Sequence, residues 1–214
     1  DLSSSGSANC YIVSNAGLYK FKTVKGNSSE YVGNVASASI LWETFGTSVA
    51  PVPADLIKAF CYKDGYIAFQ TADTFKEGNA VIAAKDVSGE ILWSWHLWFC
   101  KDDPPGILSE SGKIMLRNLG AKKLIDVDMS LTNEDLDLYK KDGLYYQWGR
   151  KDPLNINIIS GNDKYIIAKG NSGSNADLHP NTFYKSWNGS EYTWSDAKSI
   201  SDPCPPGYKV PSID

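Results

Sequence analysis

Only two histidines, His96 and His179, stand in the 214 residues. Histidine-based acid–base chemistry must therefore be assembled around these two. A Ser-His-Asp site needs its histidine held between an acid and a nucleophile. His96 lies in the run WSWHLWF, which reads as a hydrogen-bonded histidine in or beside a core. His179, in DLHPN ahead of Pro180, reads as an exposed loop residue. Glu134, Asp135 and Asp137 cluster where a helix is expected to start, and complementing its dipole explains them better than a glycosidase acid pair. Calcium calls for several oxygen ligands on one turn. Asn171, Ser172, Asn175 and Asp177, or Asn162 and Asp163, supply oxygens but match no calcium-loop spacing, so a solvated loop is expected.

Cys10, Cys61, Cys100 and Cys204 include no CxxC pair, and with so few histidines a structural zinc site is not expected. Two readings of the cysteines stay open. In an exported protein they form disulfides, and Cys61 and Cys100, both in expected strands of the first half, are able to pair. Otherwise they are four small buried hydrophobes. No catalytic residue, metal or cofactor is assigned.

Aromatic residues carry the remaining signal. Trp148, Trp187, Trp194, Tyr145, Tyr146, Tyr184 and Tyr192 are many large rings for the second half of the chain. Such rings stack on sugar faces or anchor protein partners, although a small β domain needs most of them to fill its core. Tyr184 and Trp187, beside the Asn188-Gly189 turn, and Trp148 are the ligand-binding candidates. Asn188-Gly189-Ser190 also fits a glycosylation sequon.

The elements that position these residues are organised around residues 89–100, GEILWSWHLWFC. With period two, Ile91, Trp93, Trp95, Leu97 and Phe99 share one face, and Leu92, Ser94, His96, Trp98 and Cys100 share the other. The first face must be covered by another layer, and the second is expected to be half-buried. Earlier strands are expected at 9–14, 18–24, 39–43, 56–62, 66–71 and 79–86, with Asp64-Gly65 and Val87-Ser88-Gly89 as hairpin turns. About seven short strands in about a hundred residues predict an Ig-like β-sandwich over residues 1–103. The Lys101-Asp102-Asp103-Pro104-Pro105-Gly106 run marks a domain boundary.

Residues 104–214 are less regular. Strands are expected at 113–118 and 164–169, a helix at 130–141 and a hairpin joining 182–187 to 191–194. Residues 144–150, LYYQWGR, suit helix or strand. Prolines make 202–211 a fixed loop, pinned through Cys204 or Tyr208. The net charge of −4 leaves no basic footprint for nucleic acid. No apolar run approaches the ~20 residues of a membrane span. The polar opening DLSSSGSAN has the look of a mature or trimmed N-terminus, without a secretory signal.

Three phrases belong together: MLRNLGA (115–121), GLYYQWGRKDP (143–153) and DPCPPGYKVPS (202–212). Their order resembles the Fibrobacter succinogenes major paralogous domain of Bacteroidetes and Fibrobacteres surface proteins, with Tyr208 where that family usually has Trp. The resemblance covers roughly residues 107–214. It implies a C-type-lectin-like module, and because the chain stops at Asp214 either this member is short or the chain is a fragment. The first half looks like the leading domain of Bacteroides fimbrillin-type proteins. The combined expectation is a mainly β protein: an Ig-like sandwich, then a smaller α+β lectin-like domain. It implies a non-enzymatic protein, secreted or on the outer-membrane surface, that adheres to a glycan or to a host or bacterial surface protein. A carbohydrate hydrolase and a pilus or fimbrial subunit are the alternatives.

Overall fold

The computed structural model describes residues 1–46, 49–101, 106–109, 112–122, 143–154, 166–171, 175–186, 194 and 197–211. The described chain is mainly β. Its strands are β1 (Cys10–Val13), β2 (Leu18–Lys22), β3 (Ser37–Thr44), β4 (Ile57–Lys63), β5 (Tyr66–Thr71), β6 (Gly78–Lys85), β7 (Ile91–Phe99), β8 (Gly106–Ser109), β9 (Gly112–Met115), β10 (Ile166–Asn171) and β11 (Thr182–Ser186). A single 3-10 turn, Ala176–Leu178, accompanies them among the described residues. The expected helix at 130–141, the Asn188-Gly189 turn, Trp187, Asn162, Asp163 and Ser172 lie outside the described residues.

Two sheets carry the first hundred residues. One has the order β1-β7-β6-β3, and the other the order β2-β5-β4. Strand β1 runs parallel to β7, with Cys10 opposite His96 and Val13 opposite Phe99. The β6–β7 and β3–β6 pairs are antiparallel, as are both pairs of the smaller sheet. The turn chemistry accounts for the hairpins. Lys63 pairs with Tyr66, leaving a two-residue loop. Asp64 (φ 49) and Gly65 (φ 79) both adopt the left-handed conformation that a type I′ turn demands. At the β6–β7 turn the Asp86 carboxylate accepts the backbone N–H groups of Ser88 and Glu90.

The inner faces of the two sheets meet in one core. Tyr11, Ile82, Trp93, Trp95, Leu97 and Phe99 come from the larger sheet, and Phe21, Ile67 and Phe69 from the smaller. Ring pairs cross between the layers: Phe21 lies 5.2 Å from Trp95 and 5.1 Å from Tyr11, centroid to centroid. Offset and tilted rings at such separations are favourable beyond their area burial.

The other face of β7 departs from expectation. It is fully buried rather than half-buried: Ser94, His96, Trp98 and Cys100 are each about 1 % exposed. Later chain covers it. Met115 and Leu119 pack on Cys10, Trp98 and Cys100, while Leu144 and Tyr146 pack with Trp42 and Val81. Strand β6 is consequently buried on both sides.

Among the described residues beyond 101, regular structure is limited to short strands and one 3-10 turn. β8 and β9 form a hairpin, so the strand expected at 113–118 ends at Met115 and gains a partner. β10 covers much of the strand expected at 164–169, and it pairs parallel to β11. Residues 144–150 are neither helix nor strand. One bridge joins Tyr145 to Leu154, and a turn closes where the Arg150 N–H donates to the carbonyl of Gln147. Gly149 (φ 79) takes the left-handed conformation there, which turns the following three charged residues inward.

Candidate binding site

Among the described residues of the second part, 147–152 position most of the polar and aromatic side chains. The Gln147 side chain behaves like a strand partner to β11. Its Nε2 donates to the carbonyl of Tyr184 (2.9 Å), and its Oε1 accepts the Tyr184 N–H (3.2 Å). Next in sequence, Trp148 is 46 % exposed, and its ring leans on that of Trp194 at 4.9 Å and 56°. Trp194 is held from behind, since its Nε1–H donates to the carbonyl of Ser201 (3.1 Å). One partly exposed indole is thus braced on a second, and each is tied to the chain by a hydrogen bond nearby. A ring held this way offers a flat apolar face at low conformational cost.

Tyr184 is placed differently from the sequence expectation. It is 7 % exposed, and the Arg150 guanidinium lies over its ring at 5.5 Å. Its side chain supports the turn from beneath and presents no face to a ligand. The third candidate, Trp187, is outside the described residues. Trp148 therefore meets Trp194, while Tyr184 contributes through its backbone bonds to Gln147. Tyr145, 42 % exposed, lies on the same segment.

Arg150, Lys151 and Asp152 are consecutive charges and all are buried. Burying charge is costly unless it is paired and hydrogen-bonded. Arg150 donates to the carbonyls of Thr182 (2.6 Å), His179 (3.0 Å) and Ala176 (3.3 Å), gathering the chain around the 3-10 turn. Lys151 Nζ donates to Ser94 Oγ and Asp152 Oδ1, both at 2.7 Å, and lies 4.4 Å from the Trp93 ring centroid. Ser94 Oγ donates to Asp152 Oδ1 at 2.5 Å. A serine hydroxyl between an amine and a carboxylate has the composition of an activated nucleophile. Here Ser94 and Lys151 are each about 1 % exposed, so the hydroxyl is closed off from solvent in this structure. The cluster fastens the second part onto β7. Sequence reasoning missed it because three successive charges normally mark a solvated surface. The only signal was their position between Gly149 and Pro153.

His96 is sealed as well. Its Nε2 lies 2.9 Å from Asn79 Oδ1, and its Nδ1 lies 3.5 Å from the Tyr146 hydroxyl. Asn79 Nδ2 donates to the carbonyl of Gly120 (3.0 Å), which leaves Oδ1 as acceptor and fixes the proton on Nε2. Burial lowers the pKa of His96 from 6.5 to about 3, so the ring is neutral. Burial also raises Asp177 and Glu43 above the ordinary carboxyl range.

The expected Cys61–Cys100 pair and the expected burial of Cys61 need correction. None of the four cysteines is in a disulfide in this structure. Cys61 is exposed on β4 while Cys100 is buried against Trp98, with Arg117 Nη1 2.5 Å from its sulfur. They stand on different sheets and form no pair. The closing loop is held by Asp202, Lys198 and Asn9. Asp202 accepts the N–H groups of Cys204 (2.8 Å) and Val210 (2.9 Å), and Lys198 Nζ donates to the carbonyls of Cys204 and Pro205. Among the described residues no three His, Cys, Asp or Glu side chains converge as a metal-ligand set. No described helix is long and apolar enough to cross a membrane.

Comparisons with protein-family models, with curated proteins and with solved structures find no match to this chain.

Proposed function

We propose that this chain is a non-enzymatic protein of the bacterial cell surface that adheres to a glycan, or to a host or bacterial surface protein, through the Trp148 face. The observation that carries the reading is the exposed Trp148 ring braced on Trp194. A rigid indole on a β scaffold suits the apolar face of a sugar ring or the anchor pocket of a protein.

The first hundred residues are read as an Ig-like sandwich. Support comes from strand order: β7-β6-β3 faces β2-β5-β4, the arrangement of G-F-C and B-E-D in that architecture, with β1 added parallel to β7. The second part is read as a lectin-like module. Its support is the order of the three phrases 115–121, 143–153 and 202–212. All three touch the larger sheet: Met115 and Leu119 pack on Trp98, Lys151 bonds Ser94, and Asp202 bonds Asn9. Such a frame would hold the Trp148 turn outward.

The test is a glycan array, followed by titration of the best hit against the unaltered chain and Trp148→Ala. The reading expects saturable binding that weakens at least about tenfold in the variant, with the melting temperature little changed. Absence of binding across the array and to cell-surface protein, together with turnover of a polysaccharide, would overturn it in favour of a hydrolase.

A further inference from the structure

We propose that Cys10 and Cys204 are a cross-linking pair, joined on oxidation in a disulfide that ties β1 to the proline-rich loop at residues 202–211. Strand β1 is an edge strand of its sheet, and the loop runs beside it. At the start of the strand, Asn9 Nδ2 donates to the carbonyls of Ile200 (2.7 Å) and Asp202 (2.9 Å). Further along, Tyr11 and Ile12 share the walls of an open depression of about 520 Å³ with Pro205, Pro206 and Tyr208. The two segments therefore meet at residue 9 and line one depression from residues 11–12 and 205–208. Cys10 and Cys204 both fall in the interval between those contacts, and both are buried.

The electrostatics agree with that placement. Burial raises the Cys10 thiol most, and the neighbouring Cys204 raises it further. Lys198, whose ammonium donates to the Cys204 carbonyl at 3.0 Å, feels both thiols. The other cysteines are excluded by position. Cys61 is exposed on β4, in the opposite sheet. Cys10 pairs with His96, and Cys100 lies four residues beyond His96, about 13 Å along an extended chain. A disulfide requires Cα atoms within about 7 Å.

The step balances simply. Two thiols lose two protons and two electrons and form one S–S bond, while a disulfide oxidant such as oxidised glutathione is reduced to two thiols. Thiolate is the attacking species. Because burial keeps both thiols protonated at neutral pH, the bond forms as the loop docks during folding and exchanges slowly afterwards. It encloses nearly the whole chain, where a cross-link removes most freedom from the unfolded state.

The test is to refold the full chain in a glutathione redox buffer, alkylate the remaining thiols in denaturant, and map the peptides by mass spectrometry. A linked Cys10–Cys204 peptide with alkylated Cys61 and Cys100 is expected. Reductant should lower the melting temperature by about 10 °C, and Cys10→Ser and Cys204→Ser should each abolish that response. Four alkylated thiols after oxidation, or a linked pair containing Cys61 or Cys100, would overturn the proposal. Should a serine variant fail to fold, the peptide map of the unaltered chain decides alone.

Discussion

The two faces of β7 reach the same depth of burial by opposite chemistry. Trp93, Trp95, Leu97 and Phe99 meet a second sheet through rings and aliphatic groups. Ser94 and His96, one residue out of phase, meet Lys151, Asp152 and Tyr146 of later irregular chain and Asn79 of the neighbouring strand β6. Hydrophobic contact is non-directional, and a core tolerates volume-conserving change. A buried polar network holds only while every member is present, because a lone charge left inside is far costlier than a small void. The hydrophobic face therefore makes the fold robust, and the polar face makes the attachment of the second part specific and fragile.

The largest expected effect tests that contrast directly. Asp152→Ala leaves Lys151 buried without its carboxylate and should destabilise the chain by about 3–5 kcal/mol in urea unfolding. Adding Lys151→Met should recover a large part of the loss, because the uncompensated charge is gone. A loss below about 1 kcal/mol for Asp152→Ala would mean that the cluster contributes no more than a surface ion pair.

The next effect is pH-dependent. The depressed pKa of His96, about 3 in the folded protein against 6.5, means that the unfolded chain takes up a proton first. Its contribution is intact above pH 6.5 and falls away as the pH drops toward 3, at about 1.4 kcal/mol per pH unit. Between pH 6.5 and about 5 the unaltered chain should lose roughly 2 kcal/mol more than His96→Gln. Glu43 and Asp177 act in the opposite sense, since raised carboxyl pKa values add stability as the pH falls. Both are present in each chain, so the difference isolates the imidazole. Parallel pH–stability curves for the two chains would remove His96 as the cause.

The smallest effect belongs to the apolar face. Phe21→Leu, between Tyr11 and Trp95, should cost about 1–1.5 kcal/mol without changing the pH profile. A larger cost, above about 3 kcal/mol, would show that ring geometry matters there more than volume.

Much of the first half was legible because its signals are local. The alternation in residues 91–99, the Asp64-Gly65 turn and the strands before them each depend on near neighbours, and each appears where the pattern placed it. The exposure of the candidate rings was legible only in part. Trp148 is exposed, whereas Tyr184 is covered by Arg150. Nothing in the sequence around Tyr184 announces a guanidinium brought from 34 residues away.

Period-two patterning and turn residues thus determined which side chains of β7 share a face, because strand geometry follows from backbone sterics and immediate neighbours. Which partner would cover the second face was decided only in three dimensions. Arg150, Lys151 and Asp152 are stable inside because carbonyls and hydroxyls from distant segments converge on them. A charge becomes an interior residue only when its partners arrive, and sequence neighbours carry no record of that arrival.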